Sequence, residues 1–276
     1  MTQGIIGFIG AGNMARSLVG GLLHNGWEKS RLILSDPDKQ QRQAVEKTLG
    51  VTVYSNNNEV TAQADILVLA VKPQILQSVS QELAAAVQKK RPLIISIAAG
   101  IRVDDLQYWL GGGLAIVRAM PNTPALIAAG SSGLFANTVT SELQRDQAES
   151  ILRAVGIVVW LPEERLLDVV TALSGSGPAY FFLIMEALEQ AAIELGLAPD
   201  IARLLTLETA YGAAKMALED GEDPAILRQR VTSPGGTTER ALQVLEQGQI
   251  RRLFNNALHA ARQRAGELAD LFGKSR

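Results

Sequence analysis

Short blocks of Ile, Val and Leu punctuate the first part of the chain: GIIGFIG (4–10), RLILSD (31–36), VTVY (51–54), DILVLAV (65–71), PLIISIA (92–98), LAIVRAM (114–120), SGLFA (132–136) and GIVVWL (156–161). The blocks lack polar alternation. That pattern predicts strands buried on both faces of a sheet, parallel in its N-terminal part. Amphipathic stretches such as MARSLVGGLLHNG and PDKQQRQAVEKTLG lie between several of them. Strands alternating with helices predict a doubly wound α/β domain.

Beyond Pro162 the strand blocks stop. LLDVVTALSGSGPAYFFLIMEALEQAAIELG, PDIARLLTLETAYGAAKMALEDG, DPAILRQRVT, GTTERALQVLEQG and IRRLFNNALHAARQRAGELADLFG all carry helical periodicity. Gly196, Gly221 and Gly248 fall where C-terminal caps belong, and Pro199 and Pro224 open the helices that follow. The predicted organisation is an α/β domain over residues 1–162 and an all-α domain over 163–276. No low-complexity linker separates them, which predicts a tight interface, and no internal repeat is visible.

Composition narrows the function classes. Apolar residues make up 47% and charged residues 20%, which suits a globular protein with a sizeable core. The net charge of −2 and the absence of a basic run point away from nucleic-acid and membrane partners. There is no Cys, which excludes disulfides, thiolate metal sites and cysteine nucleophiles. His24 and His259 lie far apart without ligand spacing, so no metal is expected. No uninterrupted apolar run approaches the ~18 residues of a membrane span, and the N-terminal segment lacks the features of a secretory signal. A cytoplasmic location is the expectation.

Gly10-Ala11-Gly12-Asn13-Met14-Ala15 reads G-x-G-x-x-A between a predicted strand and a predicted helix. In that context Gly10 permits a tight turn, Gly12 lets a pyrophosphate approach the backbone, and Ala15 lets helix and strand pack closely. Dinucleotide binding in a Rossmann-type sheet follows. Asp36 ends the second strand about twenty residues later, where an acid takes the adenine ribose hydroxyls and favours NAD(H). Ser35, Lys39 and Arg42 are near enough in sequence to receive a 2′-phosphate, provided Asp36 turns away to cap the helix opening at Pro37. Both arrangements fit. Ala70-Val71-Lys72-Pro73 and Ala98-Ala99-Gly100 end later strands on the ligand-binding edge, where small residues leave room for a nicotinamide ring. Lys72 also fits as a solvated loop lysine.

Three further segments carry Gly and Pro breaks. Ser174-Gly175-Ser176-Gly177-Pro178 is either a kink or a place where a ligand reaches the helix. Met120-Pro121-Asn122-Thr123-Pro124 is a rigid turn with polar groups. Pro234-Gly235-Gly236-Thr237-Thr238 ends in a helix start, where the N–H groups of Gly236, Thr237 and Thr238 would lack intrahelical partners. Capping by Ser233 or Thr237 would satisfy one of them. The double Gly favours a seat for a small anion.

FIGAGNMA (8–15), AVKP (70–73), SIAAG (96–100), MPNTPA (120–125), LSGSGPAYFF (173–182) and VTSPGGTTERAL (231–242) stand in the order and spacing of one family. The chain resembles a pyrroline-5-carboxylate reductase over nearly its whole length. The resemblance implies hydride transfer from NAD(P)H to C5 of Δ1-pyrroline-5-carboxylate, giving proline. It implies an all-α C-terminal domain that dimerises, with dimers assembling into a decamer. By position, Gly236 and Thr237 would bond the substrate carboxylate, with Ser233 nearby, and the Thr238 hydroxyl would meet the ring nitrogen. Ser174, Gly175 and Pro178 would lie near the substrate ring. Gly10, Gly12, Asn13, Met14, Ala15, Ser35, Asp36 and Asn57 would serve the pyrophosphate and adenosine. Val71, Lys72, Pro73, Ala98, Ala99 and Asn122 would serve the nicotinamide side. The family commonly prefers NADPH, but Asp36 replaces the small hydroxyl residue often found there, so NAD(H) also stays open. β-Hydroxyacid dehydrogenases share this plan but place a catalytic Lys on the first long helix of the second domain, and PAYFFLIMEALEQAAIELG contains no Lys.

Overall fold

The computed structural model describes residues 4–273. Eight strands form one sheet: β1 (Ile6–Ile9), β2 (Leu32–Ser35), β3 (Thr52–Tyr54), β4 (Ile66–Leu69), β5 (Leu93–Ser96), β6 (Ile116–Met120), β7 (Gly130–Ala136) and β8 (Gly156–Trp160). Their order across the sheet is β3-β2-β1-β4-β5-β6-β7-β8. All eight strand blocks of the sequence are strands. Pairing is parallel from β3 through β6, antiparallel between β6 and β7, and parallel again between β7 and β8. Strand order reverses at β1, between β2 and β4, so the crevice of a doubly wound sheet opens at the carboxyl end of β1.

Helices α1 (Asn13–His24), α2 (Lys39–Leu49), α3 (Asn57–Gln63), α4 (Pro73–Lys90), α5 (Val103–Leu110) and α6 (Glu142–Arg153) connect the strands. They cover both faces of the central strands, which is why those show no polar alternation, whereas the edge strand β8, also expected to be buried on both faces, leaves Ile157 and Val159 exposed. Along β4, Ile66 and Val68 enter one buried cluster while Leu67 and Leu69 enter the other. β5 and β6 alternate likewise, with Leu93, Ile95 and Val117 on the first face and Ile94 and Ile116 on the second.

The helical part comprises α7 (Leu166–Val170), a π-type turn at Thr171–Gly175, then α8 (Gly177–Glu194), α9 (Pro199–Asp220), α10 (Pro224–Arg230), α11 (Thr237–Gln247) and α12 (Ile250–Gly273). Pro199 and Pro224 stand at the helix starts, as their fixed φ allows. Gly221 closes α9 in the left-handed conformation with φ 68°. Gly248 stands at the C-cap of α11 as expected, with φ −71°, and the positive φ of 56° falls on the neighbouring Gln249. The break at LSGSGP is a wide π-type turn rather than a simple proline kink: Ser176 N–H donates to the Thr171 carbonyl five residues back, at 2.9 Å.

The chain divides into two compact units, residues 1–176 with 260–276, and residues 177–259. Strands give way to helices near residue 162, where the domain boundary was expected, but α7 and the π turn stay with the sheet. So does the C-terminal part of α12: Phe272 packs on the second buried cluster, and Arg102 Nη2 donates to Asp270 Oδ1 at 2.7 Å.

The second unit buries little apolar surface of its own. Phe181, Phe182, Leu183, Leu188, Leu204, Leu205 and Tyr211 are all exposed by more than half. The helical segment Leu166–Glu194 is long and apolar enough, by length and composition, to cross a membrane, although no unbroken apolar run reaches that length.

Candidate functional site

The glycine loop leaves the carboxyl end of β1. Gly10 has φ 98°, and a Cβ there would lie 2.9 Å from the Ala70 carbonyl oxygen, so both conformation and space require glycine. The turn is held from two sides: Gly10 N–H donates to the Ser35 carbonyl at 2.9 Å, and Ala70 N–H donates to the Ile9 carbonyl at 2.8 Å. Gly12 is the N-cap of α1, and no side chain caps it. Nothing lies within 4 Å of the place its Cβ would take, so a ligand can approach the backbone there. Asn13, Met14 and Ala15 form the first turn, which carries no acid. Ala15 is buried against the sheet. An uncapped helix start with open space before it suits a pyrophosphate.

Beside this loop, β2 delivers Ser35 and Asp36. The Ser35 hydroxyl is buried and donates to Asn57 Oδ1 at 2.8 Å, which ties β2 to the start of α3. Asp36 does not cap α2. That helix begins at Lys39, and Asp38 caps it by accepting from Gln40 N–H at 2.7 Å. A cap must reach the second or third helical N–H, which Asp38 does and Asp36 cannot. Asp36 Oδ2 instead accepts from Ala11 N–H at 3.0 Å and Oδ1 from Asp38 N–H at 2.9 Å. Arg42 Nη1 donates to the carbonyls of Asp36 and Pro37 at 2.9 and 2.8 Å.

Val71, Lys72 and Pro73 make the turn from β4 into α4, with Lys72 at the N-cap and Pro73 at the first helical position. Lys72 is exposed, while Ala98, just past β5, is buried and Ala99 is half-buried. Asn122, expected on the nicotinamide side, engages its whole carboxamide within the protein. Nδ2 donates to Ser131 Oγ at 3.1 Å and to the Ser174 carbonyl at 3.0 Å, and Oδ1 accepts from Ser131 N–H at 2.9 Å. It braces the π turn against β7. Within that turn Ser174 Oγ donates to the Val170 carbonyl at 3.0 Å, and a Cβ on Gly175 would meet Met120 Cε at 2.7 Å. Pro178 follows in the first turn of α8.

The second unit carries the PGGTT bend between α10 and α11. Gly235 has φ 72°, and Gly236 is the N-cap of α11 with no side-chain cap, so neither Ser233 nor Thr237 fills that role. Gly236 N–H, expected to face a ligand, closes a turn onto the Ser233 carbonyl at 3.0 Å. Glu239 Oε2 accepts from Gly235 N–H at 2.7 Å and so ties the first turn of α11 back to the bend. Thr237 and Thr238 open the helix, exposed, with N–H groups that have no intrahelical partner.

Sequence alone did not mark one ion-pair cluster in the first unit. Arg118, buried on β6, donates from Nη1 to Glu164 Oε1 at 2.6 Å, and the same oxygen accepts from Val103 N–H at 2.8 Å. Burial raises the pKa of nearby Asp168, against the opposing pull of Arg118 and Arg102. A lone Arg inside an apolar strand block (LAIVRAM) was the visible hint that a carboxylate would meet it.

Residues 164–268 match the family model described as pyrroline-5-carboxylate reductase dimerisation, and residues 5–100 match that of NADP oxidoreductase, coenzyme F420-dependent. The pyrroline-5-carboxylate reductase of Pseudomonas aeruginosa is 50% identical over 98% of this chain and 98% of its own. The Coxiella burnetii structure of that name is 47% identical, covers 97% of this chain and 99% of its own, and has a TM-score of 0.93. The Plasmodium falciparum structure, solved with NADP bound, is 30% identical with a TM-score of 0.86, covering 98% of this chain and 99% of its own. With the glycine loop, the π turn and the PGGTT bend all in place along one full-length match, the chain belongs to the pyrroline-5-carboxylate reductase family.

Proposed function

We infer that this protein reduces Δ1-pyrroline-5-carboxylate to L-proline, the last step of proline biosynthesis. The observation that carries the reading is the 50% identity to the Pseudomonas aeruginosa reductase across 98% of both chains. When bound, NAD(P)H supplies a hydride from C4 of its nicotinamide. Gly10, Gly12, Asn13, Met14 and Ala15 seat the pyrophosphate at the start of α1. Ser35, Asp36 and Asn57 serve the adenosine ribose, and Val71, Lys72, Pro73, Ala98 and Ala99 the nicotinamide. Asn122 acts through the π turn it braces. Ser174, Gly175 and Pro178 stand near the substrate ring.

The helix start holds the substrate carboxylate through the N–H groups of Thr237 and Thr238, while Gly236 N–H closes the bend onto the Ser233 carbonyl. Thr238 is the catalytic residue: its hydroxyl meets the ring nitrogen and can donate or accept as imine becomes amine. No strong acid or base is needed, because a protonated imine is already electrophilic at C5. The protein must hold that carbon about 3–3.5 Å from the donor carbon, aligned for transfer. The exposed apolar side chains of α8 and α9 are covered by a second copy of the chain, and dimers assemble into a decamer in the cytoplasm without a nucleic-acid or membrane partner. The model match to a dimerisation domain supports the pairing.

The test is NAD(P)H oxidation by the purified protein on addition of pyrroline-5-carboxylate. Substrate-dependent oxidation with proline as product is expected; no turnover with either cofactor would refute the reading.

A further inference from the structure

We propose that Glu164 is a positioning residue for hydride transfer: its carboxylate fixes the loop behind the nicotinamide against the π turn beside the substrate ring. The proposal rests on the reductase reading, which puts Ala98 and Ala99 on the first side of that gap and Ser174 and Gly175 on the second.

Glu164 opens α7, where its carbonyl accepts from Leu167 N–H at 2.9 Å. One oxygen of its side chain, Oε1, takes two bonds, from Val103 N–H at 2.8 Å and from Arg118 Nη1 at 2.6 Å. Val103 is the first residue of α5, a helix start that its N-cap, Arg102, leaves without a side-chain cap. The carboxylate supplies the missing acceptor at the positive end of that helix. Only a short loop separates Val103 from Ala98 and Ala99, so the bond also fixes the chain leaving β5.

Arg118 lies on β6, with 8% of its side chain exposed. The same strand runs on to Asn122, which donates to the Ser174 carbonyl at 3.0 Å. Two rungs therefore join β6 and its exit to the segment from α7 through the π turn: Arg118 to Glu164, and Asn122 to Ser174. Between them Met120 Cε fills the space beside Gly175. Shifting the π turn against β6 breaks a rung. A buried ion pair contributes little net stability over an apolar pair of similar volume, so stability alone does not call for it here. Registry among three segments that line one site does. The chemistry is sensitive to that registry, since a misplacement of about 1 Å costs on the order of 100-fold in rate.

Glu164→Ala is expected to lower kcat about tenfold or more. Cofactor affinity, read by calorimetric titration without pyrroline-5-carboxylate, should stay nearly unchanged. With cofactor deuterated at C4, the isotope effect on kcat should rise, because hydride transfer becomes the slower step. Glu164→Gln, whose carboxamide oxygen accepts from the same two donors, should recover much of the rate. Glu164→Ala strands a buried guanidinium, so the double variant Arg118→Met/Glu164→Ala removes that charge as well. It should melt near the wild type, keep the loss of kcat and the raised isotope effect, and exchange amide hydrogens faster at residues 97–103 and 171–176. A folded double variant with wild-type kcat and isotope effect would overturn the proposal, as would a loss of rate explained by weaker cofactor binding. A wild type without turnover would refute the reductase reading instead, and unchanged amide exchange in the double variant would refute the tie itself.

Discussion

In the proposed function, Thr238 carries the chemistry on a single hydroxyl. It sits on the first turn of α11, exposed, beside a helix start that no side chain caps. Thr238→Ala removes the hydroxyl and keeps the backbone donors. The expected result is a loss of kcat/KM on the order of 100-fold, the scale seen when one positioned donor is removed from a reacting centre. Cofactor affinity should stay nearly unchanged, and Thr238→Ser should recover much of the rate. Steady-state kinetics with a parallel cofactor titration checks both. At this scale the sequence was legible where a residue's backbone decides its role: Gly10 was identifiable because only glycine fits its place, and Gly12 because the motif leaves open space at the start of α1. It was less legible where side chains choose between partners. Asp36 and Asp38 lie two residues apart, and nothing in the local pattern says which one caps α2. Their packing against Ala11 N–H and Gln40 N–H decides it. The same holds for Asn122, whose carboxamide reaches Ser174, far along the chain, where no local pattern could reveal the partner.

At the scale of elements, the strand blocks were legible because both faces of each central strand are buried, leaving unbroken apolar runs. The LSGSGP break was legible as a break but not as a π turn, since its geometry depends on the Asn122 brace and on Met120 filling the space beside Gly175. Ties between elements also set a pH response. Asp65, at the head of β4, accepts from Lys90 Nζ at 2.8 Å, at the end of α4, and from Ile5 N–H at 2.9 Å. The bond from the Lys90 ammonium, chiefly, holds its carboxyl below the usual carboxylate range, against a smaller opposing effect of burial. A depressed folded-state pKa stabilises the fold above the unfolded value and is lost as pH falls through the folded one. Asp65→Asn is therefore expected to lower the melting temperature modestly at neutral pH, because the pair is partly exposed and solvent-screened. The gap from wild type should close in acid, below the ordinary carboxylate range. Thermal melts across pH test this, and a gap independent of pH would count against the ion pair.

For the whole molecule, the contrast between its two units is the main fact. The first buries two apolar clusters, one on each face of the sheet, whereas the second leaves Phe181, Phe182, Leu183, Leu204 and Tyr211 largely in solvent within a single chain. Helical periodicity announced the helices of the second unit, but it does not say what covers their apolar faces; a surface of this kind marks an interaction site. Light scattering is expected to give a dimer or a multiple of it. Leu204→Asp, placing a charge on the exposed apolar face, should reduce the mass or the stability of the assembly, and a wild-type monomer in solution would contradict the covering by a second copy.

The central claim is that a hydride passes to C5 of a cyclic imine. It is tested most directly by incubating the protein with pyrroline-5-carboxylate and nicotinamide cofactor deuterated at the transferring C4 position, then analysing the product by mass spectrometry and NMR. The account predicts L-proline carrying a single deuterium at C5. Unlabelled proline, label elsewhere in the ring, or no substrate-dependent oxidation of the cofactor would contradict it.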